Sequence, residues 1–377
     1  MKDTVLGLLE STYLNVDALL RARPSPPSPR RPLPPTAVGV VVQGPVVGRY
    51  DEPPHQRHTK AVLQSVRRVL PEAELVLSTW EGADLAGLDA DTVVLSPDPG
   101  PRTSRETGRH ALVNNVNRQV VSTRAGLEAL NRPYALKLRS DLELVHAGFL
   151  RYAGGWPTRD DRVRVFRERV LVSTTFTANP RRAFDVYGEG DARRSGRVDR
   201  FPYHVSDWVQ FGLLEDLVEL WRTPTWDVQF EWLLGNRVVT SEQWVWMSLL
   251  NKHDQGASFE RRDVLEHSAL SITNNLVVLE PEDLGVRLLK FVPEPRHATA
   301  LLTHGEWERM YERYCTDRRR VLPDPQGLLR ALVNRVWVRN LGPRLRHDPV
   351  ATQAPVRPVI PGQTSSRSSA DRKGAAR

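Results

Sequence analysis

One cysteine, Cys315, stands among 377 residues, so the chain can form no internal disulfide and a reducing compartment is the natural expectation. A lone thiol also leaves no Cys/His set with zinc-ligand spacing, and Cys315, inside the helical-looking MYERYCTDRRR, reads as packing rather than a nucleophile. No window reaches the ~18 apolar residues that a membrane helix needs. The N-terminus, MKDTVLGLLESTYLNVDALLRARP, is not patterned as a signal peptide: Asp3, Glu10 and Asp17 interrupt the apolar residues, and no small-residue cleavage site follows. A cytoplasmic protein is expected, with peripheral contact on the inner face of an anionic membrane left open. There is no internal repeat, helix-turn-helix, zinc finger or aromatic RNA-binding strand, which argues against a nucleic-acid partner despite a net charge of +8. Much of that charge sits in Arg30, Arg31, Arg318 to Arg320 and the tail from Arg367 to Arg377. It therefore says little about a catalytic centre.

The composition, 40% hydrophobic and 26% charged with ten Trp, is that of a folded chain long enough for one large or two ordinary domains. Residues 3–22 are spaced as an amphipathic helix, and 24–35 (PSPPSPRRPLPP) form an extended Pro-rich linker. Short β-branched runs at 38–42, 74–79 and 92–96 predict strands, and 134–145 is strand-like with late period-two alternation. Helical patterns fall at 55–69, 114–130, 207–222, 241–252, 304–315 and 326–341, with a hairpin or two strands at 163–178. Strands alternating with helices predict an α/β fold around a mostly parallel sheet flanked by helices. The expected divisions are an N-terminal helix (1–23), the linker (24–35), the main domain (36–300), a helical C-terminal extension (301–348) and a disordered tail (349–377).

Parallel sheets bind ligands beyond the carboxyl ends of their strands, where the strand order reverses. That rule selects Gln43 and Gly44; Thr79, Trp80 and Glu81; Ser96 to Asp98; and Arg139 to Asp141. Gln43, Glu81 or Asp84 can contact a nucleobase or ribose, and Trp80 can stack on either a base or the core. The most informative stretch runs from Asn114 to Glu143. Asn114, Asn117 and Arg118 mark a helix start, where free N–H groups and a forked guanidinium favour an anion such as a diphosphate. Asp141 and Glu143 follow at a strand end, two residues apart, where both carboxylates can reach one cation. His55 and His58 are a weak pair, better read as surface histidines. Ser206-Asp207 and Ser241-Glu242 offer carboxylates for general-base work, and equally read as helix starts with an acid in the first turn. Residues 328–341 form a basic amphipathic helix, read first as packing on the domain and second as lying on anionic lipid.

With these residues in view, the chain resembles the GT-A glycosyltransferases, in which an Arg-bearing helix precedes a strand ending in Asp-x-Asp. More closely it resembles the WavE lipopolysaccharide-synthesis family. The matching blocks are VVVQGPV (40–46), VLSTWEG (76–82), SPDPG (96–100), NNVNRQVVSTRAGL (114–127), YALKLRSDLEL (134–144), SDWVQFG (206–212) and SEQWVW (241–246). The resemblance implies a GT-A-like, Rossmann-type catalytic domain. Its substrates would be a nucleotide-sugar donor and a surface-polysaccharide or lipid-linked glycan acceptor. It makes Asp207 the expected base and Glu242 the alternative base or a sugar-hydroxyl ligand. One departure matters: position 139, where the motif has a carboxylate, is Arg. A Mg²⁺ or Mn²⁺ ion on Asp141 and Glu143 is the expectation; Asp141 alone, or Arg139 replacing the cation, are the other possibilities. A sugar nucleotidyltransferase usually has a Gly-rich phosphate loop after its first strand, and Gln43-Gly44-Pro45-Val46-Val47-Gly48 has too little glycine for that. That activity and a non-catalytic nucleotide- or glycan-binding role are the alternatives.

Overall fold

Strand β1 (Val38–Gln43) is buried at all six positions, the signature of a strand covered on both faces. The computed structural model describes residues 12–21, 23–26, 33–48, 58–104, 112–185, 198–226, 239–289, 299–316 and 324–336. Helix α1 covers 12–19 and is followed, in chain order, by β1, α2 (His58–Val69), β2 (Glu74–Trp80), β3 (Thr92–Ser96), β4 (Arg102–Ser104) and β5 (Leu112–Asn114). Next come α3 (Val116–Glu128), β6 (Tyr134–Arg139), β7 (Leu142–Leu144), β8 (Val170–Ser173), β9 (Ala183–Asp185) and β10 (Val198–Arg200). After them come β11 (Val209–Leu213), α4 (Leu214–Trp221), α5 (Ser241–Lys252), α6 (Val264–Asn275), β12 (Leu276–Leu279), a single helical turn at Pro281–Leu284, β13 (Val286–Leu288), α7 (His304–Cys315) and α8 (Pro325–Val336). The expected tail from 349 and the histidine at 55 lie outside the described residues.

Seven strands form the central sheet in the order β12-β8-β11-β6-β1-β2-β3, and only β11 runs against the others. The predicted α/β architecture, a mostly parallel sheet flanked by helices, is present. The order reverses at β1, whose neighbours are β2 on one side and β6 on the other, so the crevice opens beyond Gln43 and Arg139. Helix α3 lies close on this sheet because Gly126 lacks a side chain: a Cβ there would stand 2.5 Å from Val41 Cγ1 and 2.8 Å from Ser78 Cβ. Ser78 Oγ then donates to the Ser122 carbonyl at 2.7 Å, a polar seam inside an apolar contact.

Three expectations need correction. The run 134–145 is not one strand: β6 ends at Arg139, residues 140 and 141 turn, and β7 pairs antiparallel with β13 in a separate ladder. Residues 163–178 supply one central strand, β8, between β11 and β12, rather than a hairpin. Residues 207–222 do not start as a helix: 209–213 form β11, wedged between β6 and β8, and α4 begins only at Leu214. Burial between two neighbours outweighs the helical spacing of WVQFGLLEDLVELW there. Trp307, Tyr311 and Cys315 of α7 belong to the same buried core as β1.

Candidate functional site

The ends of β1 and β6 are stitched together by their own turns. Gly44 has φ +122° and its N–H donates to the Ser78 carbonyl at 3.1 Å. A side chain at 44 would press on Ser140 Oγ at 3.1 Å, so glycine satisfies both backbone and space. Ser140 N donates to the Gln43 carbonyl at 2.9 Å and Ser140 Oγ to the Pro45 carbonyl at 2.8 Å. Gln43 is buried and its Oε1 accepts from Ser122 Oγ at 2.8 Å, so this side chain braces α3. Thr59, at the start of α2, closes the same loop through Val47 N at 2.9 Å. His58 beside it is buried, not on the surface as its polar surroundings suggested, and its Nδ1 has no hydrogen-bond partner.

Arg139 ends β6 and forms two bonds to Asp141, Nε to Oδ1 at 3.0 Å and Nη2 to Oδ2 at 2.8 Å. Its guanidinium also stacks over Trp208, 4.2 Å from the ring centroid. Trp208 stacks in turn on Phe176 at 4.7 Å. Phe176 has φ +63°, a strained conformation for an aromatic residue, in the turn after β8 at the same sheet edge. Glu143 lies on β7, where Arg68 at 3.2 Å and Arg287 both hold it. The turn at 140–141 breaks the two-residue alternation, so the structure does not present Asp141 and Glu143 as a pair of free carboxylates. Among the described residues no group of three or more His, Cys, Asp or Glu could hold a metal ion.

Behind this edge sits a buried charge cluster. Lys137, in the middle of β6, is fully buried with its ammonium 4.9 Å from the Trp221 ring, and its Nζ donates to the Asp207 carbonyl. Burial pushes its pKa down to about 8 against the pull of Asp207. Asp207, two residues before β11, is 2% exposed, and neither of its carboxylate oxygens has a hydrogen-bond partner among the described residues. Burial raises its pKa above the usual carboxylate range; Lys137 opposes the rise and Glu242 adds to it. Glu242 opens α5, with Oε2 accepting from Ser241 Oγ at 3.0 Å and lying 3.8 Å from His204 Nε2. The N-cap of α5 is Thr240, which forms a reciprocal capping box with Gln243, so Ser241 is not the cap. Asp207 is no first-turn acid either, because a strand follows it.

The remaining predicted residues divide. Arg118 reaches Asp98 through two bonds, Nε to Oδ1 at 2.7 Å and Nη2 to Oδ2 at 2.6 Å, tying α3 to the loop after β3. That pairing holds Asp98 below the usual carboxylate range. Asn117 clamps the backbone of Trp226 from both sides, accepting from its N–H at 2.6 Å and donating to its carbonyl at 3.0 Å. It is a structural brace. Thr79 is buried with Oγ1 unpartnered, whereas Glu81 and Asp84 are exposed beyond β2. Asn114 lies on β5, and its side chain is outside what the structure describes. Sequence reasoning missed Lys137, His204 and the Trp208–Phe176 stack. A lysine inside the apolar run YALKL was the available signal for the first, since a strand interior accepts such a charge only with a partner.

The family model for WavE lipopolysaccharide synthesis matches residues 38–336. The chain belongs to that family. The match spans the central sheet, both halves of the charge cluster and the last two described helices. None of the curated proteins matches. Among solved structures, the WavE chain is similar to 4-diphosphocytidyl-2C-methyl-D-erythritol synthase from Anaerococcus prevotii DSM 20548, at 13% identity and TM-score 0.30, over 52% of this chain and 80% of that one. It is also similar to the inositol-1-phosphate CTP transferase from T. maritima, at 12% identity and TM-score 0.28, over 63% and 96%. Likenesses that remote decide nothing about activity. No described helix of this WavE protein is long and apolar enough to cross a membrane.

Proposed function

We propose that this chain transfers a sugar from a nucleotide-sugar to a hydroxyl of a surface-polysaccharide acceptor, with Asp207 as the general base. The observation that carries the reading is Asp207 itself: a buried carboxylate with two unpartnered oxygens, flanked by Lys137, beside the sheet edge where the strand order reverses. An orphaned buried carboxylate costs stability, and such cost concentrates where chemistry needs it. The acceptor oxygen attacks the anomeric carbon, its proton passes to Asp207, and the sugar–phosphate bond breaks with its electron pair leaving on the nucleoside diphosphate. Because Asp207 is 2% exposed, acceptor binding has to uncover it. Glu242, beside His204, is placed to take a sugar hydroxyl or to serve as the second base.

A divalent cation on Asp141 and Glu143 does not fit these residues, because arginines already hold both carboxylates. The positive charge for the leaving diphosphate is assigned instead to Arg139, fixed in orientation by Trp208 and Asp141. Gln43, Gly44 and Glu81 frame the nucleoside end. The distinguishing assay offers the chain nucleotide-sugars on one side and nucleoside triphosphates with sugar 1-phosphates on the other. The reading predicts release of nucleoside diphosphate from the first set, with EDTA leaving the rate unchanged. Release of pyrophosphate from the second set alone would make the chain a nucleotidyltransferase.

A further inference from the structure

Helix α8 is packed inside out. Gln326, Arg330 and Asn334 face the protein and each has a dedicated partner. Arg330 bonds Asp17 of α1 through Nε and Nη2, Gln326 Nε2 donates to the Asp17 carbonyl at 3.1 Å, and Asn334 Nδ2 donates to the Ala183 carbonyl at 2.8 Å. Leu328, Leu332 and Val336, one turn apart along a single stripe, face solvent with 64%, 62% and 40% exposure. Of the two readings of this helix, packing on the domain and lying on anionic lipid, the first does not hold for these three residues, which the structure turns outward. The orientation is specified, because rolling the helix over would leave the Asp17 carboxylate buried without its guanidinium. Helix α1, held by the same ion pair, exposes Leu19 at 84% and Leu14, Val16 and Leu20 to lesser degrees.

We propose that the outer stripe of α8, with the exposed leucines of α1, docks on an anionic phospholipid surface. The charge pattern selects lipid. Neither helix turns an acid to solvent: Asp17 is the acid of α1's described turns and is buried, and α8 has none. Arg335 lies exposed beside the stripe, Arg23 follows α1, and the sequence after α8 adds Arg339, Arg344 and Arg346 before its first acid, Asp348. Apolar side chains rimmed by arginine suit insertion among anionic headgroups. A stripe of three side chains on one helix is small beside the roughly 800 Å² per partner of a stable protein interface. The inference rests on helix orientation and stands apart from the transferase reading.

The test is co-sedimentation of the full chain with vesicles of phosphatidylcholine alone and with about one-third phosphatidylglycerol. Binding to the anionic vesicles, weakening with salt, is expected, and Leu328→Ser with Leu332→Ser should reduce it by about tenfold or more. Arg335→Gln, which removes charge without touching the stripe, should weaken anionic binding alone. Both leucines are exposed, so the serine pair should leave folding intact, which thermal melting checks. The proposal is overturned if the wild type ignores anionic vesicles or if the serine pair binds as well as wild type. It is equally overturned if the wild type sediments as a dimer that the serine pair dissociates, since a second copy would then cover the face.

Discussion

Asp207→Asn is expected to slow sugar transfer by about a thousandfold while nucleotide binding stays within about twofold of wild type, because a positioned base contributes about 10²–10⁴ in rate. Asparagine keeps the shape and removes only the proton acceptor. The same change should remove a pH dependence of folding stability. Asp207 is buried with both oxygens unpartnered, and its folded pKa lies above its ordinary value of 3.8. A group shifted that way favours the folded state in acid, and that contribution is lost as pH rises through the folded pKa. The wild type should show that acid-side contribution and Asp207→Asn should not. If Asp207→Asn lost stability and kept its rate, the carboxylate would be structural and Glu242 would become the base to test.

Lys137→Met carries the second large effect. Methionine fills the volume, but Asp207 loses both the donor to its carbonyl and the buried cation that opposes its raised pKa. Removing one partner of a buried charged contact costs about 3 kcal/mol, read as urea-unfolding stability at pH 7. The pH dependence gives a sharper readout. The folded pKa of Lys137 is about 8 against an ordinary 10.5, so between those values the unfolded chain binds more protons. Stability from this group accordingly rises as pH climbs through that window, and the wild type should show the rise while Lys137→Met does not. The transfer rate should fall around pH 8 in the wild type, as the cation beside Asp207 is lost.

Strands β1, β2 and β3 were legible because each is a short β-branched run bounded by turn residues, and α3 and α7 because their apolar spacing matches their burial. Strand β11 was hidden by a helical-looking sequence whose strand state depends on two distant neighbours, β6 and β8. Strand β12 follows α6 with no intervening turn, so LVVL carried no boundary signal. The orientation of helix α8 stayed open between two readings because apolar spacing says nothing of a specific partner, and Asp17 lies more than three hundred residues away. At the site, the resemblance pointed to Asp207 and the departure from its motif to Arg139, and the fold sets both at the same sheet edge. Period-two reasoning failed for Asp141 and Glu143 because it assumed a strand where the chain turns. Lys137 was overlooked because a single charge in a strand pattern looks like noise until its burial is known.

The most direct test of the central claim is calorimetric titration of UDP, GDP, CDP and TDP into wild type and Arg139→Ala, each with Mn²⁺ and with EDTA. The account predicts that one nucleotide binds the wild type equally well in both buffers, and that Arg139→Ala weakens it by about tenfold or more, the worth of a lost charge-assisted contact. Binding that requires Mn²⁺ and ignores Arg139→Ala would contradict the assignment of the diphosphate charge, and binding of none of the four would contradict the nucleotide-sugar reading itself.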